Sequence, residues 1–269
     1  MIGTFDLSGR VAVITGGTGL LGLSHARAIR AAGGIPLLLD IRIPDQASLR
    51  QRAGFDAEAL RCDITDEEDL RGALAGILRE HGKVDILINN AANNPKVEDG
   101  TSLLDSRLEQ YDVARWNADL AVGLTGAMLC SRVFGAQMAR HGKGVIVNIA
   151  SDLALIAPDQ RLYAIDGRPA DQQPVKPVSY SVVKAGLIGL TRYLATYWAA
   201  NGVRANALCP GGVENGQDPV FLRRIADRIP MGRMAEVDEY QGAIIFLCSD
   251  ASAYMNGAIL AIDGGRHAW

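Results

Sequence analysis

Tyr180 and Lys184 stand four residues apart at the head of a segment whose apolar spacing, continuing from Val182 to Ala200, predicts a helix. That interval puts both side chains on one helix face. A phenol with an ordinary pKa near 10 is a poor base at neutral pH, and a neighbouring ammonium favours its phenolate form. Such a pair can exchange a proton with an oxygen of a small molecule. The spacing is also common by chance on amphipathic helices, so its meaning depends on what lies around it.

The first apolar run, Val11 to Thr15, leads directly into Gly16-Gly17-Thr18-Gly19-Leu20-Leu21-Gly22, and helical spacing follows over Leu20 to Ala32. Glycine allows a tight turn, lets the backbone approach a pyrophosphate, and permits close packing of helix on strand. The helix start adds unpaired N–H groups and a positive dipole end. Glycines between a first strand and a first helix therefore point to dinucleotide binding through Gly16, Thr18, Gly19, Leu20 and Leu21, with a purely structural turn as the alternative. Asp40, followed by Ile41, closes the second run where a carboxylate would accept hydrogen bonds from an adenosine ribose. It favours NAD over NADP, because it would repel a 2′-phosphate; Arg42 is the neighbour that could offset this. The other reading of Asp40 is a strand-end turn residue.

These residues need a frame. Short apolar runs at Val11 to Thr15, Pro36 to Asp40, Ile86 to Asn89, Val145 to Ala150, Val203 to Leu208 and Ile259 to Ile262 read as buried strands, with helical stretches such as Glu67 to Glu80 between them. The alternation implies an α/β fold: a Rossmann-type doubly wound parallel sheet with helices on both faces. Ligands in such sheets bind at the carboxyl ends of the strands. The expected organisation is one domain over 1–269, with a Pro-broken, polar loop over about 152–177 as a substrate-side segment.

A net charge of −3 over 269 residues gives no sequence-wide field for a phosphate backbone, so a small-molecule substrate is expected and nucleic acid is not. Cys62, Cys130, Cys209 and Cys248 are too scattered for a zinc site or a disulfide framework and read as reduced core residues. His25, His81, His141 and His267 lack metal-ligand spacing, read as surface or helix-end residues, and leave no metal expected. No uninterrupted apolar run suggests a bilayer span and Met1 to Arg10 lacks a signal segment, which gives the expectation of a cytoplasmic protein without a membrane partner.

The ordered set formed by the Thr15 to Gly22 turn, Asp40, Cys62-Asp63-Ile64, Asn89-Asn90-Ala91-Ala92, Val145 to Ser151, Tyr180 to Lys184, Pro210-Gly211 and Ile262-Asp263-Gly264-Gly265 resembles the short-chain dehydrogenase/reductase family over nearly the whole chain. The resemblance implies a nicotinamide-dependent oxidoreductase. In it Ser151 hydrogen-bonds the reacting oxygen and helps hold Tyr180, while Lys184 also grips the nicotinamide ribose. Asp63 and Ile64 would line the adenine pocket, Asn90, Ala91 and Ala92 would flank the adenosine and ribose path, and Pro210, Gly211 and Val213 would meet the carboxamide. Tyr180 and Lys184 thus count among the cofactor contacts as well as the catalytic residues. Without the family, Ser151 is an ordinary strand-end serine.

Three features depart from the family pattern. Leu20 occupies a frequent glycine site. Gly123 stands where members usually carry a catalytic asparagine that supports a water chain to the lysine; water is the expected substitute. The interval from Ser151 to Tyr180 is long, resembles that of a branch linked to surface-sugar biosynthesis, and carries Arg161, Tyr163, Asp166, Arg168, Asp171, Gln172, Gln173 and Lys176. These either line a polar substrate pocket or face water or another subunit. Arg266 to Trp269, after the last strand, suggests a homo-oligomer, a tetramer or a dimer.

The leading expectation is hydride transfer between NAD(H) and an alcohol or ketone of a polar substrate: a sugar, sugar acid or polyol. Two others stand beside it. One is epimerisation or dehydration of a sugar derivative with NAD used transiently; the other is a non-catalytic NAD-binding protein, with Gly123 as the sign of lost chemistry.

Overall fold

The computed structural model describes residues 2–93 and 104–269. Seven strands form one parallel sheet: β1 (Val11–Thr15), β2 (Ile35–Asp40), β3 (Glu58–Arg61), β4 (Ile86–Asn89), β5 (Gly144–Ile149), β6 (Val203–Pro210) and β7 (Ile259–Ile262). Their order is β3-β2-β1-β4-β5-β6-β7, so the chain reverses direction across the sheet between β1 and β4. The β1–β2 register pairs Val13 with Leu37, and β1–β4 pairs Val13 with Leu87. That reversal opens a crevice at the carboxyl ends of the central strands.

The sequence reading has six strands, and the one it lacks is β3. Its residues, Glu-Ala-Leu-Arg, are half-buried to exposed because it is the sheet edge, so it carries no continuous apolar run to betray it. The inner strands behave differently. Ala12 and Ile14 pack into one apolar layer while Val11 and Val13 pack into the layer on the opposite face, so β1 is buried on both sides.

The helices are α1 (Leu20–Ala31), α2 (Gln46–Ala53), α3 (Glu67–His81), α4 (Val113–Arg140), α5 (Val178–Tyr197), α6 (Pro219–Ala226) and α7 (Gln241–Cys248). Local chemistry sets their ends. Asp66 accepts from the Glu68 N–H at the start of α3, where Glu67, Glu68 and Asp69 also meet the positive dipole end, and Gly82 closes the helix in the left-handed region. α5 begins earlier than the predicted Val182, directly after Pro177, which places Tyr180 in its first turn. α4 holds two π-helical stretches, Ala121–Gly126 and Ser131–Gly135. By length and composition α4 alone among the described helices could cross a membrane, but half of its apolar window is buried inside the molecule, as befits a core helix.

All four cysteines are free and buried. His25, expected at a surface or helix end, is instead wholly buried in α1, with neither ring nitrogen partnered. Burial holds its pKa down at about 3, so folding requires the neutral imidazole. Below the ordinary value of 6.5 the unfolded chain binds the extra proton and the folded chain does not. Stability is therefore full above pH 6.5 and falls as the pH drops, by about 2 kcal/mol at pH 5. His25→Leu should remove this component, measured as the difference in urea-unfolding free energy between pH 8 and pH 5; an equal pH dependence in both proteins would exclude it.

Candidate active site

The glycine turn joins β1 to α1 at the mouth of the crevice. Gly16 has φ +59°, and a Cβ there would come within 2.9 Å of the Ala91 Cα. A Cβ on Gly22 would stand 2.3 Å from the Gly16 carbonyl oxygen. Side chains are thus excluded where backbone must pass close to backbone, and the turn presents a bare peptide surface beside the start of α1. Thr15 Oγ1 accepts from the N–H groups of Asn90 and Ala91 at 3.0 and 3.1 Å, and the Asn90 amide donates to the carbonyls of Thr15 and Gly16 at 3.0 and 3.1 Å. Asn90 therefore acts as a bracket between β4 and the turn, and Ala91 and Ala92 follow it along the crevice floor.

Asp40 lies at the other side of the turn. Its carboxylate accepts from Thr18 N (3.2 Å), Thr18 Oγ1 (2.8 Å) and Arg42 N (3.2 Å). Gly19 starts the helix, and Leu21 is half-buried behind Leu20. Leu20 and Ile41 are 43% and 53% exposed, apolar surfaces flanking a carboxylate at strand ends. A glycine-rich turn, a helix N-terminus, an acceptor for a diol and apolar walls fit an adenine dinucleotide. Asp63 sits at the end of β3, where hydrogen bonds from the Thr65 hydroxyl and N–H hold its carboxyl below the usual range. Ile64 is buried, and a Cβ on Gly126 would come within 2.7 Å of its Cδ1, so it packs against α4.

At the far end, Pro210 closes β6 and Gly211 N donates to the Ile262 carbonyl. Tyr240 Oη donates to the Gly211 carbonyl at 2.9 Å, and Val213 bridges to Ala235, which clamps the 210–213 segment above the sheet.

Ser151, Tyr180 and Lys184 converge between these two ends. Ser151 follows β5 and is buried; its Oγ donates to Asp152 Oδ1 at 2.8 Å, accepts from Leu153 N at 3.2 Å, and is hydrogen-bonded to the Tyr180 phenol. Lys184 Nζ stands 5.8 Å from the Tyr180 ring centroid and donates to the Ile149 carbonyl at 2.7 Å. The two residues share a face as their spacing predicts, but the expected acidification of the phenol is not what the structure gives. Burial pushes the Tyr180 phenol above its ordinary value; the bond to Ser151 opposes this and the Asp152 carboxylate adds to it. The Lys184 ammonium is aimed at a backbone carbonyl, and burial lowers its own pKa to about 8.

Gly123 has a structural explanation. A Cβ at this position would meet Val183 Cγ1 at 2.4 Å, so the space beside it is filled by a side chain from α5. Valine next to Lys184 and glycine facing it on α4 are one packing arrangement. Of the polar residues in 152–177, Arg161 pairs with Asp159, Asp166 pairs with Arg224, and Gln173 staples the carbonyls of Ile165 and Arg168. Asp171 and Gln172 are exposed. Beyond Asp152, it is Tyr163 and Lys176 that act on or lie over Tyr180, so this segment contributes less polarity to the pocket than its composition suggests.

Sequence reasoning missed two residues at the centre. Asp152 and Arg266 form a buried ion pair at 2.6 Å, with side chains 4% and 9% exposed. The acid beside Ser151 was visible, but nothing in the chain tied it to an arginine 114 positions away. It also missed Asp119, a buried carboxylate on α4 that accepts from Tyr111 (2.8 Å) and Ser179 (2.5 Å) and so fixes the residue preceding Tyr180. Away from the crevice, Glu58, Glu80 and His81 cluster, and His81 Nε2 lies 3.2 Å from Glu58.

The fit between α4 and α5 gives a direct test. Gly123→Asn should lower stability by about 1–3 kcal/mol through overpacking, and Val183→Ala in the same chain should recover most of it. Urea unfolding of the single and double variants measures this; additive losses would mean that the two positions do not share the space.

Residues 10–164 match the short chain dehydrogenase family model, and residues 170–267 match the model described as enoyl-(acyl carrier protein) reductase. A cis-4-hydroxycyclohexanecarboxylate dehydrogenase of Sinomonas cyclohexanicum is 33% identical over 95% of this chain and 96% of its own. A D-threitol dehydrogenase of Mycolicibacterium smegmatis is 32% identical over 97% and 94%. The crystal structure of a gluconate 5-dehydrogenase from Burkholderia cenocepacia, in complex with NADP and tartrate, superposes with a TM-score of 0.85 at 29% identity, covering 100% of this chain and 99% of that one. The seven-stranded parallel sheet, the glycine turn and the matched sequence models agree: this chain belongs to the short-chain dehydrogenase/reductase family of oxidoreductases.

Proposed function

We propose that the protein interconverts a hydroxyl and a carbonyl group on a polar, hydroxylated small molecule: a sugar, sugar acid or polyol. The observation that carries this is the convergence of Ser151, Tyr180 and Lys184 at the carboxyl ends of the strands, beside a glycine-rich turn. The names of the relatives, a threitol and a hydroxycyclohexanecarboxylate dehydrogenase, support the choice of substrate class. A bound nicotinamide cofactor supplies the hydride acceptor or donor. The chain's own residues handle the proton: Tyr180 takes it from the substrate hydroxyl, or returns it, at its phenol oxygen. Ser151 turns its hydroxyl from Asp152 to the reacting oxygen. With the cofactor bound, Lys184, on the same face of α5 as Tyr180, would hold the nicotinamide ribose, and its charge beside the phenol would oppose the effect of burial.

The proposal includes a preference for NAD, since the Asp40 carboxylate would meet a 2′-phosphate with like charge. Solved relatives hold NADP in one case and NAD+ in another, so the preference rests on this residue. Tyr180→Phe should lower kcat by about 10²- to 10⁴-fold while NADH still binds. In the same assays, wild type should favour NAD over NADP about tenfold or more in kcat/KM, and Asp40→Ala should narrow the gap. Turnover retained in Tyr180→Phe would remove the proton-transfer role, and a wild-type preference for NADP would remove the cofactor assignment. A homo-oligomer is also part of the proposal, because Val182, Tyr193 and Tyr197 are exposed along α5 and Trp269 is exposed at the C-terminus. Light scattering should give two or four times 28.6 kDa, and the single-chain mass at micromolar concentration would overturn it.

A further inference from the structure

The Ser151 hydroxyl has one proton, and the structure fixes where it points. Asp152 Oδ1 accepts from Ser151 Oγ at 2.8 Å and from Leu153 N at 2.8 Å, while Arg266 Nη1 holds Asp152 Oδ2 at 2.6 Å. A carboxylate only accepts, so Ser151 is the donor in that bond. Leu153 N donates to one of the lone pairs of Ser151 Oγ at 3.2 Å. What remains for the Tyr180 phenol is an acceptor, and a phenol can use an acceptor only while it keeps its own proton.

The arginine of this arrangement is delivered by the turn after β7. Gly264 and Gly265 take φ +66° and +88°, and the Asp263 carboxylate accepts from Gly265 N at 3.0 Å and His267 N at 2.9 Å. The chain folds back there, and Arg266 reaches Asp152 with 9% of its side chain exposed. An ion pair so far from water adds little to stability over apolar side chains of the same volume, so its place beside Ser151 needs another reason. Among the described residues, the charged and titratable groups that face the phenol are Asp152 after β5, Tyr163 and Lys176 from the segment before α5, and Lys184 on α5 itself. Cys209 on β6 acts on Lys184, and Asp119 on α4 is committed to Tyr111 and Ser179. Of these, Asp152 acts on the phenol in two ways. Its charge opposes a phenolate directly, and it takes the Ser151 proton whose donation to the phenol would ease ionisation. Arg266 moderates both effects by drawing on the same carboxylate.

Resting on the dehydrogenase reading above, we propose that Asp152 and Arg266 are positioning residues that aim the Ser151 hydroxyl away from Tyr180 and so hold the phenol in its protonated form, ready to give a proton to a substrate carbonyl. In that direction a hydride from the nicotinamide bonds to the carbonyl carbon, the phenol O–H bond breaks, and its proton goes to the carbonyl oxygen, leaving a phenolate. Ser151 then turns its proton from Asp152 toward the new negative charge. Oxidation of an alcohol needs that turn to come first. Its rate should therefore rise with pH through the same midpoint at which the rate of reduction falls.

The test uses the full chain and two readouts of that midpoint. One is the pH profile of turnover, in both directions, with a panel of polyols, aldonates and the matching ketones. The other needs no substrate: the ultraviolet absorbance of the Tyr180 phenolate during a pH titration, taken as the difference between each protein and its Tyr180→Phe counterpart. Asp152→Asn should lower the midpoint by about one pH unit or more, and Arg266→Met should raise it by a similar amount. Arg266→Lys, which keeps the charge, should restore the wild-type value. The double variant Asp152→Asn, Arg266→Met leaves no charge isolated and should still lie below wild type; it carries the test if a single variant does not fold. Midpoints equal to that of wild type would overturn the proposal. So would shifts of the same sign in both single variants, because the pair would then only hold the site together. Shifts of opposite sign in the titration, without hydride transfer for any compound, would uphold the positioning role and defeat the dehydrogenase reading; turnover with an unmoved midpoint would do the reverse.

Discussion

A parallel sheet that is apolar on both faces can place polar chemistry only where its strands end, and the groups of this site obey that constraint. Ala12 and Ile14 bury one side of β1 while Val11 and Val13 bury the other, so nothing along the strand can carry charge. Polarity begins at its last residue, Thr15, whose hydroxyl collects two backbone N–H groups from the end of β4. Asp40 ends β2, Asn89 ends β4, Ser151 follows β5 and Pro210 ends β6. The reversal of strand order between β1 and β4 turns these ends into a crevice instead of a row.

Placing charge at such an edge means removing it from water, and the surroundings of Tyr180 show how the fold handles that. Burial raises the phenol and lowers both lysines, so each group is pushed toward its neutral form. Among the described residues the carboxylate that would push the phenol further is Asp152, and it is held by Arg266 after the last strand. A buried pair of this kind costs desolvation that its own attraction only partly offsets, yet losing one partner leaves an isolated charge beside Ser151. Its value here is positional. It sets which atom receives the Ser151 proton and ties the segment after β7 to the catalytic strand.

The same economy of space explains the departure at Gly123. The position faces α5 across a distance that admits no Cβ, because Val183, one residue before Lys184, already occupies it. A side chain at position 123 and the Val183 contact are alternative uses of one volume, and this chain has the second. The π-helical turn Ala121–Gly126 contains that glycine, so the local widening of α4 and the close approach of α5 occur at one place.

Much of this was legible from residues alone, for a physical reason. Strand and helix periodicity depend on local spacing, and inner strands buried on both faces announce themselves as unbroken apolar runs; β3, an edge strand with Glu58 and Arg61, does not. The glycine turn, Asp40, and the Ser151, Tyr180 and Lys184 set were readable because each belongs to a short motif whose spacing carries its geometry. Tertiary structure decided whatever depends on distance through space. Asp152 with Arg266, Gly123 with Val183, and Asp119 with Ser179 join positions far apart in the chain. The burial of His25, and the sign of the shift at Tyr180, follow from how much water the packed fold excludes, a quantity no local pattern contains.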